Sequence, residues 1–523
     1  MQLTVAQAKF AEMSPASPSA SGWLHTDGSV FRTSSNQLYL IKSVSWFGTE
    51  TTNCSPHGLW KISLARGVAQ IKSMGFNTIR LPFSNECLAA TATNSIDFTI
   101  NPALRGKTPL QLIDAVVAVA KAQGMNVILD RHRPDSASQS SLWYTANYSE
   151  ARWIQDWKAL ATRYKTNPTV IGMDLHNEPR GQACWGCGDP SVDWQAAATR
   201  GGNAVLGVNP KLLIVVEGVE NQPDGSSTWW GGGLSGVQAN PVRLDVANQV
   251  VYSPHDYPSS VAYQQWFTAA NYPDNLPAVW DKNWGYIARL GLAPVLLGEF
   301  GTKLETSSDS QWMTSIVAYL ARTKMSFSYW SFNPNTIDTG GLVLDDWVTP
   351  QTAKLAALKP ILNPGASPSP SATPSPTPTP SPKATSSPTP SPSPSLSPTK
   401  GSSPTASPNP SGAPTPSPTP SPAGSGVGAW SVQTSWPSGY NVVIDVTASG
   451  SPIASWTVTW SDPTVLSVAN QWGANCSVRP QVSVTCSGAG WAASMPPQQS
   501  VRVGIQLNST GAPASPGAVF TLR

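Results

Sequence analysis

The residues best suited to chemistry are two glutamates, each closing a short apolar run. One lies in Leu175-His176-Asn177-Glu178-Pro179, after the run that begins at Val170. The other lies in Leu297-Gly298-Glu299-Phe300-Gly301, after Val295. Runs of this kind read as buried strands, so each carboxyl is expected where a strand ends and a loop begins. Two carboxyls at one rim can divide a displacement, one giving a proton to the leaving oxygen while the other attacks carbon. A lone Asn-Glu-Pro reads equally well as a helix cap or salt-bridge partner; its answer at a second strand end carries the reading.

The elements that must bring the pair together are also legible. Between Trp23 and Leu362, apolar runs alternate with amphipathic stretches, eight of each. The runs are Leu38–Val44, Thr78–Leu81, Asn126–Asp130, Val170–Leu175, Leu213–Val216, Gln249–Ser253, Val295–Leu297 and Phe327–Ser331. Helices are expected over Leu110–Gln123, Glu150–Tyr164, Asp193–Val208, Asn283–Leu290, Asp309–Thr323 and Thr352–Leu358, among others. The alternation fits an α/β chain closed into a (β/α)8 TIM barrel, whose catalytic rim lies at the C-terminal strand ends. An open doubly wound sheet would carry a Gly-rich phosphate loop after its first strand, and none is present. The Gly- and Trp-rich stretch from Gly218 to Leu244 shows no clear helix and is expected to line a cleft.

Composition divides the 523 residues further. Residues 1–22 are expected to be disordered, 23–363 to form the barrel, 364–426 a linker and 427–523 a β-sandwich. The linker is almost wholly Pro, Ser, Thr, Ala and Gly, with Lys383 and Lys400 its charges and Leu396 its one large apolar side chain. It cannot build a core, and favours extended polyproline conformations at about 3.1 Å per residue. Beyond it the pattern turns to period two, as in Asn441–Val446, Trp456–Trp460 and Val501–Ile505, which predicts an antiparallel sandwich. A net charge of +3 carried on scattered basic residues argues against nucleic acid or membrane as a partner. Charged residues make up only 12% of the chain while Trp numbers 22, an excess suited to stacking on uncharged sugar rings. A monomer is expected.

The six Cys fall in pairs within the expected domains: Cys54 and Cys87, Cys184 and Cys187, Cys476 and Cys486. Cys184-Trp185-Gly186-Cys187 is open to a redox or half-zinc reading, but lacks a second CxxC and a thioredoxin-like setting, so a small loop disulfide is expected. Paired Cys imply an oxidising compartment and, with the linker, a secreted protein. Met1–Ala20 shows no apolar signal-peptide core.

Further motifs lie at the expected strand ends: Thr78-Ile79-Arg80-Leu81-Pro82, Leu129-Asp130-Arg131-His132-Arg133-Pro134, His255-Asp256-Tyr257 and Tyr329-Trp330-Ser331-Phe332-Asn333. With the two Glu motifs, they make residues 23–362 resemble a family 5 glycoside hydrolase of the bacterial endo-β-1,4-glucanase branch. The resemblance implies Glu178 as acid/base, Glu299 as nucleophile and Arg80 as its hydrogen-bonding cation. It gives Asn177 to the sugar 2-hydroxyl, His132 and His255 to substrate contact and carboxylate orientation, and Tyr257 to Glu299. Trp330 would stack under the sugar at the cleavage point and Trp46 under the next. The Glu299 charge is expected to raise the pKa of Glu178. No cofactor or metal is required, and His176 is expected in the barrel wall. Relatives often carry a Cys after the Arg-His-Arg-Pro-Asp segment where this chain has Ser136, so Cys87 is the expected partner of Cys54.

Residues 427–523 resemble a family 2 carbohydrate-binding module through Trp436-Pro437-Ser438-Gly439-Tyr440, Asn470-Gln471-Trp472 and Gly490-Trp491. The resemblance implies a flat platform of Trp436, Trp472 and Trp491, with Trp456 in the core. The family's end-to-end disulfide is missing, and Cys476–Cys486 would close a short loop instead. The expected partner is thus cellulose or a related β-glucan. Mannanase, xyloglucanase, mixed-linkage β-glucanase and a non-catalytic glycan-binding protein stand as alternatives, because specificity resides in loops the motifs do not fix.

Overall fold

The computed structural model describes residues 22–363 and, apart from 437, 490–491, 498–499 and 512–516, residues 426–523. The expected disordered leader and Pro-rich linker lie outside the described residues, apart from a residue or two at their edges. Each folded part is described by itself.

The first part opens with a small antiparallel sheet of β1 (Leu24–Asp27), β2 (Val30–Thr33) and β3 (Leu38–Tyr39). The run expected as one strand over Leu38–Val44 is thus split, its end forming the first barrel strand, β4 (Lys42–Ser45). There follow β5 (Thr78–Ser84), β6 (Asn126–Arg133), β7 (Val170–Asp174), β8 (Leu213–Glu217), β9 (Val250–Ser253), β10 (Leu296–Phe300) and β11 (Ser326–Tyr329). They form one parallel sheet in the order β10-β11-β4-β5-β6-β7-β8-β9. Parallel bridges at Tyr252–Val295 and His255–Glu299 join its two edges, so the sheet closes as a barrel.

Where a helix follows a Ser, Thr or Asp at its N-cap, that side chain closes the first turn. Ser63 caps α1 (Leu64–Ser73), Ser84 caps α2 (Asn85–Ala89), and Thr108 with Gln111 makes a capping box before α3 (Pro109–Ala122). Ser149 caps α4 (Glu150–Arg163) and Asp193 caps α5 (Trp194–Leu206). After β9, α6 (Leu276–Trp280) passes through a wider turn into α7 (Tyr286–Arg289); α8 (Ser307–Thr323) and α9 (Thr352–Leu362) complete the layer. The eighth helical unit is missing: between β8 and β9 the described chain runs as a loop pinned by bridges at Val219–Gly233 and Asn221–Ser227.

Period two along the strands sorts the barrel interior into two storeys. At the N-terminal end, Ile128, Ile171, Leu213, Val215, Val251 and Leu296 pack with Leu24 and Phe31 of the small sheet, which plugs that end. One step up the same strand faces stand Arg80, Asp130, Asp174 and Glu217, all buried. The apolar storey fixes the strands; the ionic one faces the rim.

The second part comprises two four-stranded sheets. β12 (Gly426–Trp436), β13 (Gly439–Ala448), β18 (Ser500–Ser509) and β15 (Val465–Trp472) make one sheet. β16 (Ala474–Arg479), β17 (Ser483–Gly488), β14 (Trp456–Ser461) and β19 (Val519–Leu522) make the other. The core includes Val442, Ile444, Val458 and Ile505, and Trp456 lies in it as expected, donating Nε1–H to Ala492 O at 2.7 Å. The three expected disulfides, Cys54–Cys87, Cys184–Cys187 and Cys476–Cys486, are present.

Candidate active site

Glu178 follows β7, whose end is pinned from outside: Leu175 O accepts the indole N–H of Trp153 at 2.8 Å and of Trp157 at 3.1 Å. The Asn177 amide donates to Arg131 O at 3.1 Å, and its side-chain oxygen accepts from Arg80 at 3.0 Å. Glu178 itself has a left-handed backbone, φ 55°, and its carboxyl Oε1 lies 3.1 Å from His255 Nδ1.

Glu299 sits on β10 where the register with β11 shifts between Leu297 and Phe300. An irregularity of this kind re-aims a side chain, here into the barrel mouth. One Glu299 oxygen accepts from Arg80 Nη1, and the other accepts the Tyr257 hydroxyl at 2.8 Å. A carboxylate oxygen of Glu178, one of Glu299 and a His255 nitrogen all lie within 4.8 Å of one another.

Arg80 is fully buried and reaches four carboxylates. Besides Glu299 these are Asp174 at 2.9 Å, Glu217 at 3.0 Å and Asp130 at 3.1 Å. One guanidinium cannot ionise every neighbour in a low-dielectric site. Burial pushes the Asp130 and Asp174 carboxyls up to about 6 and Glu217 up to about 8, against the pull of Arg80 and His255. Burial pushes His255 down, but the Glu217 and Glu299 charges and the bond to Glu178 hold it well above the ordinary imidazole value. The expectation for Glu178 is therefore corrected. Burial pushes it up, yet its hydrogen bond to His255 and that ring's charge outweigh burial, leaving it below its usual value.

His132 donates toward Asp130 at 2.7 Å, and burial takes it down to about 4, so it is neutral at neutral pH. Its ring is parallel to Trp330 with centroids 5.2 Å apart, and Trp330 is parallel to Phe47 at 5.4 Å. Trp330 remains partly exposed. His176 is buried in the wall, with Nδ1 2.8 Å from Arg131, and burial holds it well below its usual value.

Trp46 is the site residue that the structure removes. It is fully buried, donates Nε1–H to His57 O at 2.9 Å and packs on Phe332. A methyl group on Gly67 of α1 would come within 2.2 Å of its ring. Trp46 has the strand parity of Val44, which faces the helices, so the alternation directs it away from the sugar. Of the expected module platform, Trp436 and Trp472 belong to β12 and β15, and their side chains, with all of Trp491, lie outside the described residues.

Glu217 was missed, although Leu213-Ile214-Val215-Val216-Glu217 repeats the apolar run closed by Glu that marked the other two. Also unanticipated is Trp230, 39% exposed, whose ring lies 4.1 Å from the Arg180 guanidinium carbon. Its neighbour Gly231 approaches Glu178 so closely that an added Cβ would lie 3.3 Å from Glu178 Cα. The loop from Gly218 thus does reach the cleft, as its composition suggested.

Comparison with known proteins agrees with this geometry. The model of cellulase (glycosyl hydrolase family 5) matches residues 40–336, and that of a cellulose binding domain matches residues 427–522. An endoglucanase of Paenibacillus polymyxa is 48% identical over 363 residues, 68% of this chain and 91% of that protein. The major extracellular endoglucanase of Xanthomonas campestris is 42% identical over 332 residues, 62% of this chain and 68% of that one. The catalytic domain of a Xanthomonas campestris major endoglucanase superposes with a TM-score of 0.62 at 40% identity, covering 65% of this chain and 99% of that one. An endocellulase from Pyrococcus horikoshii, solved with cellotetraose, gives 0.62 at 37% identity over the same shares. The matched motifs, the closed barrel and the paired carboxylates at its rim place the chain in glycosyl hydrolase family 5, with a cellulose binding domain at its C-terminal end.

Proposed function

We propose that the chain is a secreted endo-β-1,4-glucanase that hydrolyses internal bonds of cellulose or a related β-glucan with retention of configuration. The observation that carries this reading is the approach of a Glu178 and a Glu299 oxygen to within 4.8 Å. Retaining enzymes hold their carboxyls about 5 Å apart, whereas inverting ones leave room for a water between them. The names of the relatives support the substrate class, and the three disulfides support an oxidising destination.

In this mechanism Glu299, held by Arg80 and Tyr257, attacks the anomeric carbon while Glu178 gives its proton to the departing oxygen. Ester formation removes the Glu299 charge. Glu178, now a carboxylate, takes a proton from water, whose oxygen displaces Glu299 and regenerates the site. Asn177, its side chain fixed by Arg80, meets the 2-hydroxyl, and Trp330 offers its ring to the sugar at the cleavage point. Trp230 offers a second exposed ring on the Glu178 side. Trp436, Trp472 and Trp491 form the cellulose-binding platform.

Early proton NMR of a cello-oligosaccharide digest is the test: the β-anomer appears first, and initial α-anomer rejects retention. Glu299→Gln abolishes turnover with the fold intact. Glu178→Gln loses glucan hydrolysis, yet still forms the glycosyl ester from an activated aryl cellobioside, whose leaving group needs little protonation.

A further inference from the structure

Glu217 ends β8 fully buried, and both of its oxygens meet the site. Oε1 accepts from Arg80 at 3.0 Å. Oε2 accepts the backbone N–H of Glu178 at 2.7 Å and lies 3.3 Å from Nε2 of His255. The other imidazole nitrogen, Nδ1, lies 3.1 Å from Glu178 Oε1. One ring therefore bridges two carboxyls. We propose that Glu217 is a positioning residue for the acid/base: it anchors the Glu178 backbone and, through His255, supplies the proton that Glu178 delivers to the leaving oxygen. The inference rests on the assignment of Glu178 made above.

The anchoring has a steric reason. Glu178 holds φ 55°, a region disfavoured for a residue with a Cβ, and the hydrogen bond from its N–H to Glu217 offsets part of that cost. Gly231 closes over the pair. A Cβ there would come within 2.7 Å of Glu217 Oε2, so the loop leaves the carboxyl little room to turn away.

The proton supply answers a need that the site itself creates. Beside a cationic His255, Glu178 is held in its anionic form, which is the wrong state for an acid. Glu217, pushed by burial up to about 8, and with Asp174 adding to the rise, holds a proton near neutral pH. Across the 3.3 Å contact that proton is shared with Nε2 of His255, whose protonated form is favoured by the carboxylates around it, and the Nδ1 proton of that imidazolium passes to the Glu178 carboxylate. The balance is closed: neutral Glu217 and anionic Glu178 become anionic Glu217 and neutral Glu178, and His255 changes tautomer. Imidazolium between two carboxylates is the middle state. The charged groups facing this relay are Arg80 from β5, Asp130 from β6, Asp174 from β7, Arg180 from the loop after β7 and Glu299 from β10.

The experiment compares E217Q, E217D and E178Q in the full chain, on a cello-oligosaccharide and on dinitrophenyl cellobioside. E217Q lowers kcat on the oligosaccharide roughly 100-fold and spares the glycosylation burst from the activated substrate. It also moves the alkaline limb of kcat/KM down by about one pH unit, because one negative charge around the remaining proton is lost. E217D, its carboxyl withdrawn by one methylene, shifts the limb less and in the same direction; it carries the test alone if E217Q does not fold. An unmoved limb, or equal loss on both substrates, overturns the role of Glu217. If E178Q itself shows no dependence on leaving group, the acid assignment falls first; selectivity in E178Q without it in E217Q removes the present inference alone.

Discussion

Arg80 is where the buried charge of the barrel balances, since Asp130, Asp174, Glu217 and Glu299 all face it. Breaking a buried ion pair by removing one partner costs about 3–5 kcal/mol. Arg80→Ala is accordingly expected to lower the unfolding free energy by at least that much at neutral pH, as denaturant titration would show. The loss shrinks as pH falls through about 6, where Asp130 and Asp174 take up protons even beside Arg80. Asp130 and Asp174 themselves predict a pH dependence of the parent chain. Their folded values of about 6 lie above the ordinary Asp value, so the stability they contribute is full below the unfolded value and is lost as pH rises through about 6. Denaturant midpoints between those limits are expected to fall with rising pH, and Asp174→Asn to flatten the trend by an amount on the order of 1–3 kcal/mol. At this scale the sequence was readable where a motif singled out a residue. It misled where parity mattered, because Trp46 shares the outward face of Val44. Glu217 escaped because its run was ended one residue early.

Among the elements, the starts of the barrel strands other than β4 were legible to within a residue, since buried parallel strands are unbroken apolar runs, whereas β5, β6 and β10 run three residues past their expected ends. The small sheet of β1–β3 was not legible: strands of two to four residues carry little periodicity. Its place under the barrel gives it a structural task separate from the rim. Phe31→Ala is expected to cost about 3–5 kcal/mol, as for a large buried ring, with KM and kcat on soluble glucan unchanged at temperatures below the transition. The register shift that aims Glu299 was equally hidden, because nothing in Leu297–Gly301 announces an irregular strand. Cys54–Cys87 ties the loop after β4 to α2 across 33 residues. Its removal by paired Ser substitution is expected to cost about 2–4 kcal/mol, read as a lower thermal midpoint with activity retained below it.

For the whole molecule, composition is what marks off the stretch before residue 427, since a segment with Leu396 as its one large apolar side chain cannot build a core. Truncation after Asn363 is expected to leave soluble-substrate activity unchanged while activity on insoluble cellulose falls, since tethering raises local concentration at a surface. Replacing Trp436, Trp472 and Trp491 by Ala should reproduce that loss, and undiminished pull-down on microcrystalline cellulose would place the platform elsewhere. The uneven distribution of tryptophan has an optical consequence. Trp46, Trp153, Trp157, Trp194, Trp280, Trp284 and Trp312 are sealed from solvent, whereas Trp230, beside the Arg180 cation, and Trp330 keep exposed rings. In the chain truncated after Asn363, their emission is therefore open to water and to any sugar that displaces it, against the steadier emission of the sealed rings. The enzyme carries a label-free fluorescent gauge of occupancy at its own cleft.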